Sequence, residues 1–106
     1  MKFYVLIFLF ITNLTASITI GKEVYSKECK QCHLSLKSVA SSKQSKQWKE
    51  LLSKEGYALA QVHLNNHEAK PSWAYFKSNE YKQHSKDLKD VLIKYSADKS
   101  KHTSCH

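Results

Sequence analysis

Cys29-Lys30-Gln31-Cys32-His33 constrains this 106-residue chain more than any other stretch. Two cysteines three residues apart, followed at once by a histidine, have the spacing at which two thiols add to the vinyl groups of one haem while the imidazole binds its iron. On a helical turn both sulfurs lie on one side, within reach of one porphyrin edge, and the next residue swings beneath the ring centre. A disulfide redox pair, half of a zinc site and chance are the competing readings. A redox pair of the thioredoxin kind calls for strand-helix-strand patterning, and zinc calls for a second Cys or His pair at finger spacing. The sequence carries neither.

Covalent haem attachment of this kind belongs outside the cytoplasmic membrane, and the N-terminus points there. Lys2 gives a short positive start, Phe3 to Ile11 is unbroken apolar sequence, and Thr15-Ala16-Ser17 supplies small residues at cleavage spacing. Residues 1–17 are therefore expected to be a signal peptide, cut after Ala16 or Ser17, with an uncleaved anchor as the alternative. The apolar run falls well short of the about 20 residues that span a bilayer, so no integral membrane span is expected. The expected location is the periplasm.

A cut after Ser17 leaves 89 residues, one small domain whose core is marginal without a staple. A covalently held haem is such a staple, offering short helices a large apolar plate. Two of the three cysteines are used at the motif. Cys105 is left near the C-terminus as an exposed thiol or an intermolecular disulfide partner. The ending through Cys105-His106 lacks the first cysteine of a haem motif, so a second haem is not expected.

Apolar periodicity predicts an all-α fold, with two glycines, one proline and no alternating runs to suggest strands. A first helix is expected over Gly21–Cys32, with Gly21, Val24 and Tyr25 on one face. The serine-rich stretch Leu34–Ser45 reads as a loop around the haem edge. A second helix runs over Lys46–Lys54, with Trp48, Leu51 and Leu52 inward, and Gly56 ends or bends it. In the next segment, Tyr57–His67, Leu59, Val62 and His63 share a face, which carries His63 on the apolar side. Pro71 interrupts the chain, Ser72 is a candidate N-cap for a helix over Trp73–Tyr81, and Ser85 for a last helix over Lys86–Ser96 with the stripe Leu88, Val91, Leu92 and Tyr95. The domain thus spans residues 18–97, followed by a polar tail, 98–106.

Taken together, the haem motif, Gly21 with Tyr25 four residues on, and Leu92 with Tyr95 three apart resemble the class I c-type cytochromes. The resemblance covers both ends of the mature chain, whereas Leu34–Lys82 does not align. It implies a small cytochrome c-like helical domain around one haem c, bound through Cys29 and Cys32 with His33 as proximal ligand. It also implies that the first and last helices cross nearly at right angles, with Gly21 at the crossing. Two features depart from the family. Its usual methionine ligand has no counterpart, because the only methionine is Met1, which leaves with the signal peptide. Leu34 stands where a glycine often follows the haem histidine.

The sixth iron position then falls to another histidine, to lysine or asparagine, or to an external ligand. His63, on an apolar face, is the preferred distal ligand. His84, in very polar surroundings just before the last helix, is the runner-up. His67, one turn from His63, reads as solvated, and His102 and His106 belong to the polar tail. A second histidine lowers a haem potential relative to methionine. The expected function is therefore electron transfer between redox partners, with no enzymatic role. The alternatives are a gas-binding or sensing haem with an open site, and a subunit of a larger periplasmic oxidoreductase.

Charge fits docking better than nucleic-acid binding. The formal +8 comes entirely from lysine, falling by one to +7 when Lys2 leaves, and the bidentate phosphate and guanine grip of arginine is missing. A lysine-rich surface steers encounter with an acidic redox partner, although even spacing along the chain also serves solubility alone. The oligomeric state is not legible.

Overall fold

The computed structural model describes residues 15–99. The rest of the expected signal peptide, residues 1–14, lies outside the described residues, as do Cys105, His102 and His106 of the tail. The chain is helical from residue 15 through 24, called α1 here. It then widens into a π turn at Tyr25–Cys29, where the Lys30 N–H reaches back five residues to the Tyr25 carbonyl at 3.0 Å. There follow α2 at Leu36–Ala40, α3 at Ser45–Leu64, a 3₁₀ turn at His67–Ser72, α4 at Trp73–Phe76 and α5 at Asn79–Lys94. Among the described residues there is no strand, and no helix is long and apolar enough to cross a membrane.

Sequence periodicity and burial agree along α1 and α5. Ser17, Gly21, Val24 and Tyr25 are buried at spacings of three and four, as are Tyr81, Ser85, Leu88, Val91 and Leu92 on α5. Gly21 is where the two helices meet. A Cβ there would run into the Asp87 carbonyl oxygen and lie 2.9 Å from Val91 Cγ1, so only glycine lets these backbones touch. Ser17 fastens the same pair, its hydroxyl 2.8 Å from Asp87 Oδ1 and 2.7 Å from Asp90 Oδ2.

α3 makes the most extensive pairing with α5 and is broken in the middle. Lys54, Glu55 and Gly56 have φ of 52°, 56° and 75°, so the chain changes direction between a half carrying Trp48 and Leu52 and a half carrying Ala60 and His63. Gly56 marks the bend, as its position in the sequence suggests. The buried Tyr81 hydroxyl donates to the Gly56 carbonyl at 2.6 Å and ties the bend to α5.

Five boundaries differ from the sequence expectations, the first being that α1 is already helical at residue 15, before Gly21, and packs Ser17 of the expected signal peptide against α5. The serine-rich segment contains α2, because the Ser35 hydroxyl accepts from the Ser38 N–H and starts a helix that buries Ala40. The helix expected over Trp73–Tyr81 stops at Phe76, and the Ser72 hydroxyl donates to the Ala69 carbonyl rather than capping it. The last helix starts at Asn79 with Ser78 as its cap; Ser85 lies buried within it, bonded to the Lys82 carbonyl. Ordered structure also continues past residue 97. Asp98 accepts from the Ser45 N–H at 2.7 Å and the Ser45 hydroxyl at 2.6 Å, serving as a carboxylate at the start of α3.

Two measurements check these contacts. Gly21→Ala should destabilise the protein by about 1–3 kcal/mol, the usual cost of overpacking, in urea unfolding followed by circular dichroism. Asp98 is held well below the usual carboxylate range, first by the Ser45 hydroxyl and then by the Ser45 N–H. The sign follows: its clamp is fully present above the unfolded carboxyl's value of about 4 and is lost as pH falls through the depressed folded value. Asp98→Asn should therefore lower the melting temperature near neutral pH, and the gap from the parent protein should narrow in acid.

Candidate functional site

The motif cysteines and histidine sit on one turn at the end of α1. Cys32 N–H and His33 N–H both donate to the Cys29 carbonyl, at 3.2 and 3.0 Å, so residues 29–33 form the single helical turn that their spacing predicts. The Tyr25 hydroxyl donates to the Leu34 carbonyl and closes the turn from below, fixing the chain where it leaves His33. Cys29 is half-buried, Cys32 and His33 are exposed, and no disulfide joins the two thiols.

Cys29 stands among aromatic side chains. Burial, then Glu28 and Cys32, push its thiol up to about 12. The same apolar environment raises Tyr25 to about 12 and lifts Tyr75 and Tyr81 as well, each further raised by Cys29. This is the reverse of the lowered thiol that disulfide exchange and metal thiolates call for. Among the described residues no three His, Cys, Asp or Glu side chains converge in a way that could hold a bare metal ion. The raised thiol weighs against the redox-pair reading.

His63 is the histidine whose ring meets His33. Their centroids are 5.9 Å apart with planes at 79°. The Nδ1–H of His63 has the Leu59 carbonyl as acceptor at 2.9 Å, which leaves Nε2 with a free lone pair. Burial holds its imidazole below the ordinary histidine range, with His33 acting the same way against the Leu59 bond, so it is neutral near pH 7. A neutral imidazole whose other nitrogen donates to a backbone carbonyl is the usual arrangement of a metal-binding histidine.

The expected runner-up lies elsewhere. His84 is inside α5 rather than before it, with Nδ1 4.0 Å from Glu80 Oε1. It lines a separate cleft of about 190 Å³ with Ile20, Glu23, Val24, Lys27 and Glu28. His67 is exposed, its ring 6.3 Å from that of Trp73.

Aromatic residues that the sequence offers for packing after Pro71, without indicating a partner, complete the His63 environment. Phe76 stacks on its ring at 4.1 Å with planes 23° apart, and the Trp73 indole N–H donates to the His63 carbonyl at 2.8 Å. Tyr75 packs beside Phe76, its hydroxyl buried without a hydrogen-bond partner among the described residues. An aromatic run after Pro71 was visible as packing material, but its partner was not.

Does this set fit a haem? Metal–imidazole bonds of about 2.0–2.1 Å on either side of one metal put the two axial rings roughly 6 Å apart. The observed separation agrees. Edge-to-face ring pairs also span about 4.5–7 Å, so spacing alone suits direct packing too. The unprotonated His63 Nε2 is free to serve as a metal ligand, which direct packing of the two rings does not call for. Leu34, next to His33 in sequence, is 74% exposed, and Val62, next to His63 in sequence, is 57% exposed.

No family model matches the chain, and neither does any curated protein or solved structure.

The two thiols should differ in reactivity. In haem-free protein treated with iodoacetamide just above neutral pH, peptide mass spectrometry should find Cys32 alkylated well before Cys29; equal rates would remove the protected environment described for Cys29.

Proposed function

We propose that this chain is a small periplasmic protein of the c-type cytochrome kind, carrying one covalent haem and passing single electrons between redox partners. The pairing of His33 with His63 next to Cys29 and Cys32 carries the reading. Cys29 and Cys32 would hold the haem through thioethers, His33 would bind the iron from the attachment side and His63 from the other. When bound, that group supplies reversible one-electron exchange.

The remaining steps belong to the polypeptide. Leu59 fixes the His63 proton on Nδ1 and aims the other nitrogen. Tyr25, bonded to the Leu34 carbonyl, anchors the segment leaving His33. Two histidine ligands would leave no vacancy for substrate, which suits a carrier better than an enzyme. A paired-histidine set also favours a lower potential than histidine with methionine. The lysine excess would speed encounter with an acidic partner at low salt.

Production of the full chain in a host that matures covalent haem tests the reading. The expected product is coloured after denaturation, exceeds its polypeptide mass by one haem, and shows low-spin ferric iron by electron paramagnetic resonance. Cys29→Ala with Cys32→Ala should abolish the covalent pigment, and His63→Ala should convert the iron to high spin. A colourless product of bare polypeptide mass would overturn the proposal. High-spin iron in the unaltered protein, with immediate carbon monoxide binding, would replace the carrier with a gas-binding haem.

A further inference from the structure

Resting on that reading, we infer that Trp73 and Phe76 form a clamp that holds His63 in the distal position and thereby keeps small external ligands off the iron. Both side chains belong to α4, a helix too short to be stable by itself. Both nevertheless point at the same residue from different sides. Trp73 Nε1–H donates to the His63 carbonyl at 2.8 Å and sits 3.3 Å from the Asn66 carbonyl, satisfying backbone acceptors at the C-terminal end of α3. Phe76 is buried and lies flat against the imidazole, while Tyr81 packs edge-on against Phe76 at 4.8 Å and ties the stack to α5.

The arrangement restrains His63 in two ways. The tryptophan bond fixes its backbone where the last turn of α3 would otherwise fray, and the phenyl ring occupies one face of the imidazole. The Leu59 carbonyl holds the ring's remaining freedom. An external ligand enters only while His63 is displaced, so its apparent binding rate scales with the displaced fraction. Weakening either contact raises that fraction without touching the attachment turn at Cys29–His33.

Stopped-flow mixing of carbon monoxide with the reduced, haem-loaded protein measures that fraction. Phe76→Leu keeps apolar volume and removes the stack. Trp73→Phe keeps a ring and removes only the N–H donor. Each variant should retain low-spin ferric iron at rest and bind carbon monoxide roughly three- to tenfold faster, the factor expected from losing one hydrogen bond or one ring stack. In a His63→Ala background the same substitutions should add nothing, because no distal histidine is left to restrain.

Unchanged rates in both variants overturn the clamp while leaving the haem reading intact. Equal acceleration with and without His63 also overturns it, since that result marks general loosening of the fold. If Phe76→Leu fails to fold, Trp73→Phe carries the test through the hydrogen bond alone. A colourless protein, or low-spin iron that survives His63→Ala, removes the reading on which the clamp rests.

Discussion

The contact between Gly21 and α5 fixes everything downstream of it. A missing side chain lets the backbone of α1 lie against the Asp87 carbonyl, and that sets the height and rotation of the residues one, two and three turns on. Gly21, Tyr25, Cys29 and His33 recur every four residues. In an ideal α-helix each such step drifts by about 40°, so the third would have rotated well off the starting face. The π turn at Tyr25–Cys29 accommodates an extra residue at that place and takes up part of the drift. A π turn inside a helix is uncommon and often found where function is carried. Here it lets one helix bury Gly21 and Tyr25 against α5 and still present the cysteine-histidine turn at its end.

The other half of the site depends on chain reversal rather than helix rotation. His63 comes to His33 from a helix that begins at Ser45, packs Trp48 against the carbonyl of Ala40 and would otherwise continue straight. α4 and the turn before it then fold back over the end of α3. Their aromatic residues form a wall behind His63, contiguous through Phe76 and Tyr81 with the core under Cys29. The imidazole pair thus lies between two segments that arrive from different helices and are both braced against α5.

Much of this was legible because the signals were local and unambiguous. The turn at Cys29–His33 follows from the spacing of three residues and the α5 stripe from a strong 3.6-residue period, whereas the place of Gly21 at the meeting of the first and last helices was what the family resemblance implied. His63 stood apart from His84 because its neighbours Leu59 and Ala60 are apolar, whereas His84 lies among Lys, Gln and Asp. What stayed hidden depends on degenerate or distant information. Serine caps look alike in a chain this rich in serine, so Ser78 and Ser35 could not be told from Ser85 and Ser72 without knowing which hydroxyl finds a free N–H. The π turn leaves no mark in a pattern read at α-helical period. Asp98 caps α3 from 53 residues away, a contact that no local window contains.

The bend at residues 54–56 shows why these distant contacts matter to the site. Lys54 and Glu55 occupy the left-handed region, which costs non-glycine residues of order 1 kcal/mol each. Propensity alone would have kept α3 straight and carried His63 away from His33. The Tyr81 hydroxyl bonded to Gly56 in a buried setting offsets part of that cost, and its ring fills the space a side chain at position 56 would need, since a Cβ there would lie 2.7 Å from Tyr81 Cζ. The same tyrosine packs against Phe76, and Phe76 against His63. One buried side chain on α5 therefore stabilises both the bend that redirects α3 and the wall against which its histidine rests, so the backbone strain and the imidazole geometry share a single support.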